Sequence, residues 1–336
     1  LPDVEIKLGD NNTIEFITKN PDPILLNRLA WSFLIMSKKD IETNGLSNKN
    51  IGSGPYTISE ITDQKINLKR NENYWGEKPK VKNVTYKLVT DTNRISSLLN
   101  GEVDFISYRS TDSNVDSLQQ RATENKILLV KISNSSVNYM DIDSLRDKTP
   151  YVSLETNPFK NAKVREAMML AINIDDFTQT ISDTISSNQL VAQSIFGYNP
   201  DITRPKYDLT KAKSLMQEAG YPDGFLLTVD YADVAGAKEI YSLFAKYLAD
   251  INIKVTLNAL PQEEFFPKIA SKDSSAYFIG FVPDTQDTSE VLEGLIHTPT
   301  EIYGQYNLGY SNPTLDKVIE TASQTLNQQE RQQEIQ

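Results

Sequence analysis

The fold of this chain is decided by three strand-like segments, which read FLLTVDY at 225–231, IKVTL at 253–257 and YFIGFV at 277–282, the second with Ile253, Val255 and Leu257 alternating with polar residues. Each run is short, rich in β-branched or aromatic residues, and typical of a buried strand. Residues 237–251, between the first two runs, repeat apolar side chains at helical spacing, and 263–270 predict a shorter helix before the third run. The order strand, helix, strand, helix, strand predicts a parallel sheet with helices on both faces.

Acidic and polar residues follow the last of these strands. Asp284, Thr285 and Asp287 come shortly after Val282, where the strand is predicted to end. Ligands of parallel α/β sheets bind beyond the carboxyl ends of the strands. We therefore predict that this acidic loop lies at the mouth of a ligand-binding cleft.

The N-terminal third shows a different pattern. Residues 4–8 and 13–18 alternate on either side of a Gly-Asp-Asn-Asn turn, which favours a β-hairpin. Further along, a strand over 84–88, a helix over 92–100 and a second strand over 103–107 predict a βαβ crossover. Such a crossover implies parallel pairing of its two strands.

Periodicity also predicts the elements of the middle of the chain. A strand over 128–132 precedes the polar run 133–136, where we place a crossing between two lobes. Residues 164–181 predict one long helix. Another helix is predicted to begin after the N-cap Asp208 and to end at Gly220. A chain of 336 residues has room for two such domains.

Composition argues against several classes of function. A net charge of −11 disfavours a nucleic-acid surface or a polybasic membrane patch, since both need clustered Lys and Arg. The chain has no cysteine and a single histidine, His297, so thiolate catalysis and a His-rich metal site are excluded. It also lacks a Gly-x-x-x-x-Gly-Lys-Ser/Thr phosphate loop. We expect no cofactor, no nucleic-acid partner and no nucleotide hydrolysis by this chain.

Seven short segments, spread from about residue 50 onward, match known motifs in a fixed order. They are Gly52-Ser53-Gly54-Pro55-Tyr56, Arg70-Asn71-Glu72-Asn73-Tyr74-Trp75-Gly76, Leu98-Leu99-Asn100-Gly101-Glu102-Val103-Asp104, Asn157-Pro158-Phe159, Val164-Arg165-Glu166-Ala167, Ala171-Ile172-Asn173, and the block from Ala212-Lys213 to Glu218-Ala219-Gly220-Tyr221-Pro222-Asp223-Gly224-Phe225. In this order they resemble the motifs of solute-binding protein family 5, the binding proteins of peptide, dipeptide and nickel ABC importers. Ser53 and Glu72 stand where the family usually has threonine and proline.

The resemblance implies an α/β fold of the periplasmic-binding-protein type (type II, peptide-binder class), with two α/β lobes joined by a hinge. We expect the first lobe over 1–133 and the second over 134–336. Family members begin with a signal peptide and often a lipid anchor, and they have further sequence at both ends. The resemblance thus implies an extracytoplasmic protein, lipid-anchored in its precursor and monomeric, whose first lobe is incomplete here.

The function implied by the resemblance is capture of a short peptide or a similar amphoteric solute. The lobes would close over the ligand, and a membrane permease with its ATPase subunits would receive it. Three alternatives stay open. The cargo could be an oligosaccharide, an opine or a metal chelate. The protein could be a ligand-sensing receptor on the same fold. It could also be a hydrolase that uses an acid pair such as Asp284 and Asp287.

Two site residues follow from one matching stretch. Residues 280–287 resemble the Gly-Trp-Thr-Gly-Asp-Asn-Gly-Asp of the family's dipeptide binders, in which the first aspartate grips the peptide's α-ammonium. Asp284 would take that role here, and Phe281 stands where the tryptophan does. The alternative is that Asp284 caps the following helix. Asp287 is predicted to be a helix cap or a solvated acid.

The remaining candidates for ligand contact are more scattered. Tyr108 and Arg109 follow the strand predicted over 103–107, and Arg109 could hold a ligand carboxylate through two hydrogen bonds. Tyr139 follows the predicted crossing and could stack on a ligand. The alternatives are a surface arginine and a core tyrosine. Thr285 completes the predicted set.

Other conspicuous residues are predicted to be structural. Tyr56 is expected to pack beside the Gly-Pro turn, and Trp75 to be a buried anchor under a loop. Glu102 is expected to serve the turn after Gly101. His297 is expected only to satisfy its neighbours.

Overall fold

The computed structural model describes residues 4–336 except positions 11, 47–50, 109–111, 113, 125, 131, 133–134, 182–183 and 235, and except the side chain of Asp91. The chain divides into two compact units. We call them the larger unit, Leu1–Trp31 with Ile132–Gln336, and the smaller unit, Ser32–Lys131.

The described residues form nine strands and twelve α-helices. The strands are β1 (Val4–Leu8), β2 (Ile14–Thr18), β3 (Tyr56–Ile61), β4 (Lys65–Arg70), β5 (Asn83–Lys87), β6 (Val137–Ile142), β7 (Phe225–Ala232), β8 (Ile253–Leu260) and β9 (Ala276–Phe281). The helices are α1 (Leu25–Ser32), α2 (Lys38–Asn44), α3 (Arg94–Leu99), α4 (Val115–Thr123), α5 (Ala162–Ala171), α6 (Ile174–Thr180), α7 (Leu209–Glu218), α8 (Ala237–Ala249), α9 (Gln262–Ala270), α10 (Thr288–Val291), α11 (Pro313–Ala322) and α12 (Gln328–Ile335). A π-helical turn over Leu292–Ile296 continues α10. None of these helices combines the length and apolar composition that crossing a bilayer requires.

The main sheet of the larger unit has four strands in the order β6-β9-β7-β8. Strand β7 pairs in parallel with β8 and β9, with Asp230 opposite Tyr277, and β6 closes the edge antiparallel to β9. The predicted order β7-α8-β8-α9-β9 and its parallel pairing are therefore confirmed. The carboxyl ends of the parallel strands, at Ala232, Leu260 and Phe281, point to the same edge of the sheet.

Helices cover both faces of this sheet, as predicted. On one face α5, α7 and α8 enclose the main core, in which Phe159 is fully buried and the rings of Tyr241 and Phe278 stack at 4.3 Å. On the other face, Phe265 of α9 is fully buried and meets Tyr277 edge-on. Tyr277 and Phe278 face opposite layers because neighbouring residues of a strand alternate between the two sides of its sheet. Burying such a side chain contributes about 1.5–3 kcal/mol.

Two further predictions in the larger unit are confirmed. Strands β1 and β2 form the predicted hairpin, with Val4 opposite Thr18. Helix α7 follows the N-cap Asp208, whose Oδ1 accepts a hydrogen bond from the N–H of Lys211 at 2.8 Å. Beyond this helix Gly220 takes a left-handed conformation with φ +87°, which suits glycine because it has no Cβ.

The long helix predicted over 164–181 is wrong, because the segment forms two helices. Helix α5 ends at Ala171 and α6 begins at Ile174. Between them Asn173 takes an extended conformation, and its side chain accepts a hydrogen bond from the N–H of Asp176. A side chain that caps a new helix competes with continuation of the old one.

The smaller unit is built on an antiparallel sheet in the order β3-β4-β5. Ile95 of α3 and Leu118 of α4 are its most deeply buried apolar side chains. The βαβ crossover predicted in this unit is wrong: residues 103–107 form no strand, and β5 pairs in antiparallel register with β4. An isolated strand leaves its backbone groups unpaired, and no described strand lies beside 103–107.

The strand predicted over 128–132 is also absent from the described residues of that segment. Leu128 and Val130 are mostly exposed there. The crossing predicted at 133–136 lies partly outside the described residues.

The division into units falls between Lys131 and Ile132, two residues from the predicted lobe boundary. Residues 1–31 group with the larger unit, whereas we expected them in the first lobe. One reason is that helix α1 bonds to the chain beyond β9: the Asn27 amide donates to the carbonyl oxygen of Thr285, and Arg28 pairs with Glu293. The lobe boundaries themselves stay a prediction.

Candidate functional site

The segment that follows β9 is a tight turn, which we call the acidic turn (residues 282–287). Pro283 is buried, and its carbonyl oxygen accepts hydrogen bonds from both the backbone and the side-chain amide of Gln286, each at 3.1 Å. Gln286 has φ +58°, in the left-handed region that side chains with a Cβ adopt rarely. The turn therefore keeps a fixed, partly strained shape, and Asp284 lies at its exposed corner.

The carboxylate of Asp284 faces solvent and does not cap a helix, so the structural alternative for this residue is wrong. The cap of α10 is Asp287. Desolvation, followed by the nearby Glu290 carboxylate, raises the pKa of Asp284 above its usual value. Among the described side chains none forms an ion pair with Asp284 or Glu290 within 4 Å. Two neighbouring carboxylates without a cation of their own favour a cationic group of a ligand.

Thr285 is held inside the turn. It is 8% exposed, and its N–H and its hydroxyl both donate to Oε2 of Glu290, at 3.0 and 2.9 Å. Its carbonyl oxygen accepts from the Asn27 amide at 2.7 Å. All of its polar groups are thus engaged by the protein. A ligand contact by Thr285 stays a prediction, and the contacts seen here give it a role in shaping the turn.

Asp287 closes the turn from the other end. Its Oδ1 accepts from the N–H of Ser289, which confirms the predicted helix cap. The second reading, a solvated acid, is wrong, because Asp287 is 3% exposed and bound by both terminal nitrogens of Arg331. Asp287 is therefore not available as the second free carboxylate that the hydrolase hypothesis requires.

An aromatic pair lies at the start of the acidic turn. The rings of Phe281 and Tyr306 are 6.2 Å apart and tilted by 58°, and Tyr306 remains 43% exposed. Beneath Phe281 is a small apolar cluster around Val191 and Leu295. The predicted contact residue Phe281 thus presents an aromatic surface beside the acidic turn, with Tyr306 as its partner.

Tyr139 belongs to the same cluster and is half-buried. Its hydroxyl oxygen is shielded from solvent and has no hydrogen-bond partner among the described residues. Burial, followed by the Asp141 carboxylate, raises the pKa of Tyr139. A buried hydroxyl without a partner is costly, so Tyr139 is an unsatisfied polar group beside the aromatic pair, and its contact with a ligand stays a prediction.

The Asp141 carboxylate lies below Tyr139 on the same face of β6. Its Oδ2 accepts hydrogen bonds from the hydroxyl of Tyr277 at 2.9 Å and from the N–H of Leu308 at 3.0 Å. Burial outweighs these bonds and raises the pKa of Asp141 to about 6. This carboxyl group therefore changes charge close to neutral pH.

The other predicted contact residues lie in the smaller unit. Tyr108 is half-buried and follows a segment without strand structure, and Arg109 lies outside the described residues. The structure thus brings Asp284, Phe281, Thr285 and Tyr139 into one region of the larger unit. For Tyr108 and Arg109 ligand contact stays a prediction.

Among the residues expected to be structural, the prediction for Trp75 is wrong. Its side chain is 83% exposed, with the ring of Tyr74 as a neighbour. Tyr56 does have a structural contact, donating from its hydroxyl to the carbonyl oxygen of Val81. His297 is 3% exposed and stacks on Tyr303 at 4.3 Å.

Both ring nitrogens of His297 have polar neighbours, the carbonyl oxygen of Thr298 and a carboxylate oxygen of Glu320, as expected for a satisfied core histidine. Glu102 accepts from the hydroxyl of Ser97 beside the turn at Gly101, where we expected it to serve. Within the described part of the chain no three His, Asp or Glu side chains are grouped to hold a metal ion.

Four residues of this region were missed from the sequence: Asn27, Glu290, Tyr306 and Arg331. The sequence gives a weak local indication of Glu290, because it lies three residues after Asp287, in the first turn of the helix that follows. Tyr306 lies in a tyrosine-rich stretch that could have drawn attention. Asn27 and Arg331 reach the turn across 258 and 44 positions of sequence, so nothing local indicates them.

Comparison with known proteins identifies the family. Residues 1–301 match the family described as bacterial extracellular solute-binding proteins, family 5 Middle. The chain belongs to this family. The family assignment and the type II periplasmic-binding-protein fold class expected from the motifs are confirmed.

Individual family 5 proteins resemble this chain along nearly its whole length. The dipeptide-binding protein of Escherichia coli (strain K12) is 22% identical over 96% of this chain and 61% of its own length. Heme-binding protein A of Haemophilus influenzae is 25% identical over 96% of this chain and 59% of its own. A solved structure of the periplasmic binding protein DppA from Helicobacter pylori, in complex with the peptide STSA, superposes with a TM-score of 0.77 at 24% identity, covering 99% of this chain and 65% of that one. The chain thus spans about three fifths of the length of the curated relatives it matches.

Proposed function

We propose that this chain is the ligand-capturing part of the extracytoplasmic substrate-binding component of an ABC importer, and that its ligand is a short peptide or a similar amphoteric solute. The observation that carries the proposal is the Asp284 carboxylate, which stands exposed at the corner of a fixed turn, next to Glu290 and without an ion-pair partner among the described residues. A carboxylate in this setting suits the α-ammonium of a peptide, through a charge-assisted hydrogen bond. The dipeptide-binding relative supports the same ligand class.

The adjoining aromatic surface supports the second half of the proposal. Phe281 and Tyr306 offer apolar area for a side chain of the ligand. One charged group beside an aromatic surface can bind a peptide without attacking it. Transport would then need a permease and ATPase subunits as partners, since the chain has no phosphate loop.

The test uses the natural full-length protein and two peptide pools. One pool contains free peptides of two to four residues, and the other contains the same peptides with acetylated N-termini. We expect the free pool to raise the melting temperature and the acetylated pool to have little effect, because acetylation removes the ammonium group. Native mass spectrometry of the freshly purified protein would identify cargo retained from the host.

The matched variants are Asp284→Asn and Asp201→Asn, which remove exposed carboxylates inside and outside the acidic turn. A hydrogen bond to a charged group is worth about 1.5–3 kcal/mol, so Asp284→Asn should weaken binding of the tightest free peptide by about ten- to a hundredfold. Asp201→Asn should leave the affinity unchanged. Equal binding of both pools, or an unchanged affinity for Asp284→Asn, would refute the ammonium assignment.

A second candidate is a non-peptide cargo, and the Phe281–Tyr306 pair is the observation that favours it. Flat aromatic surfaces also suit planar or ring-shaped ligands, and one relative is named as a heme-binding protein. This candidate would be favoured if the protein binds neither peptide pool and native mass spectrometry finds a chelate, a porphyrin or a sugar bound to it.

A further inference from the structure

A buried arginine joins the last helix to the acidic turn. Arg331 of α12 is 3% exposed, and its guanidinium binds Asp287 through two nitrogens, at 2.8 and 2.6 Å. The same group donates to the hydroxyl of Ser289, and Nε donates to the carbonyl oxygen of Ala322 at 3.1 Å. The ring of Phe196 lies 5.1 Å from the guanidinium carbon. The guanidinium thus contacts α10, α11 and the Phe196 segment from its place on α12.

The fork geometry matters more than the charge alone. Two parallel N–H···O bonds fix the orientation of a carboxylate as well as its position, which a single contact does not. Arg331 and Asp287 are both buried, so the pair is not loosened by solvent. Removing one partner leaves an uncompensated charge in the interior.

Asp287 transmits this constraint to the turn, because it is three residues from Asp284 and caps α10 at the same time. Phe196 adds a second restraint: its N–H donates to the carbonyl oxygen of Gln286, and its own carbonyl oxygen accepts from the N–H of Thr288. Gln286, which has a left-handed backbone conformation, is therefore held in two ways. The Phe196 backbone bonds to the residues around it, and the ion pair with Arg331 fixes the next residue, Asp287.

We propose that Arg331 is a positioning residue for ligand binding: its fork on Asp287 fixes the acidic turn so that the Asp284 carboxylate keeps the direction in which it meets the ligand. Arg331 itself does not touch the ligand. The proposal rests on the proposed function of Asp284, and a site of this kind must be held to within about 0.5 Å to bind well.

The first test needs no ligand. Hydrogen–deuterium exchange of the natural full-length protein would be compared between wild type and Arg331→Met. Within 285–289 the amides of Thr285, Gln286, Thr288 and Ser289 are hydrogen-bonded within the turn or to its supports, and we expect these four to exchange about tenfold faster in the variant. The control is Arg146→Met, which strips the fully buried Asp143 of its arginine elsewhere in the larger unit. It should leave the exchange of 285–289 unchanged.

The second test separates positioning from general stability. Arg331→Met alone leaves a buried unpaired carboxylate, whereas Asp287→Asn/Arg331→Met removes both charges and keeps a good N-cap. We expect the double variant to regain most of the lost melting temperature. If Arg331 positions the turn, affinity for the peptide Ser-Thr-Ser-Ala stays about tenfold below wild type in both variants. If its role is structural only, affinity returns together with stability, and the proposal is overturned.

The two tests fail in different ways. Unchanged exchange of 285–289 in Arg331→Met overturns the positioning role, whatever the ligand is. Wild-type protein that binds neither Ser-Thr-Ser-Ala nor the free peptide pool overturns the proposed function. In that case the exchange data still decide whether Arg331 fixes the turn.

Discussion

The carboxyl group of Asp141 gives a prediction whose size follows from its contacts. The group is turned inward onto the hydroxyl of Tyr277 and the N–H of Leu308. Burial is the largest effect on it and raises its pKa from 3.8 to about 6. Because the folded protein binds this proton more tightly than the unfolded chain does, the free energy of unfolding falls as the pH rises from about 4 to about 6.

The magnitude comes from the shift of about two pKa units. Each unit corresponds to about 1.4 kcal/mol, so ionising Asp141 in the folded state costs about 3 kcal/mol of stability. Asp141→Asn keeps the side chain neutral at every pH. Hydrogen bonds that the amide accepts less well lower the stability of the variant equally at every pH. We therefore expect the stability of the variant relative to wild type to rise by about 3 kcal/mol between pH 4 and pH 7.5.

The assay is urea unfolding of the natural full-length protein at pH 4, 5, 6 and 7.5, followed by circular dichroism. The difference between variant and wild type cancels the contributions of all other carboxylates. Asp223→Asn, which removes an exposed carboxylate of the same unit, is the control and should give a difference that does not change with pH. A flat difference for Asp141→Asn, or a relative stability of the variant that falls as the pH rises, would refute the reasoning.

Three further predictions concern the stability of the larger unit, and each is measured by urea unfolding. Gly220→Ala and Gly224→Ala both place a Cβ on a residue with a left-handed backbone, which should cost about 1–2 kcal/mol of stability. At Gly224 that Cβ would also lie 2.0 Å from the carbonyl oxygen of Asn252, which should add about 1–3 kcal/mol. Equal costs at the two positions would contradict the steric argument. Phe159→Ala should cost about 3–5 kcal/mol, because the ring is fully buried in the main core, and a cost below about 1 kcal/mol would mean that the site collapses. Asp208→Ala should cost about 1 kcal/mol through loss of the N-cap of α7, and Asp208→Asn should restore most of it.

The sheet of the larger unit could be predicted because its information is local. The runs that became β7 and β9 are mostly apolar, and β8 alternates Ile253, Val255 and Leu257 with polar residues. The helices between them have a single apolar side, so the period of each segment indicates its secondary structure. Boundaries were correct to within a few residues. Capping signals were equally local: Asp208 and Gly220 mark the ends of α7 through their own backbone and side-chain chemistry.

The errors share a physical cause, which is that they depend on neighbours the local sequence does not contain. Residues 103–107 carry a strand-like pattern, yet a strand forms only beside another strand that accepts its hydrogen bonds. Asn173 lies inside the segment that was predicted as one long helix, whereas its side chain caps the start of a new helix. Trp75 was expected to be a buried anchor under a loop, and its side chain is 83% exposed.

The candidate site also depends on contacts that the local sequence does not indicate. The loop that contains Asp284 was predicted from its place after the third strand, because the carboxyl end of a parallel strand is a general site for ligands in this kind of fold. The ligand role of Asp284 itself came from the resemblance of residues 280–287 to the dipeptide binders, and it stays a prediction. What makes its carboxylate usable is different: the turn beneath it is held by Asn27, Glu290 and Arg331, two of which are distant in sequence. A motif can therefore indicate which residue meets the ligand, while the stiffness of that residue's support is decided by contacts that only the folded chain brings together. This is why a change at Arg331, far from any motif, is expected to weaken binding about as much as the loss of one good contact.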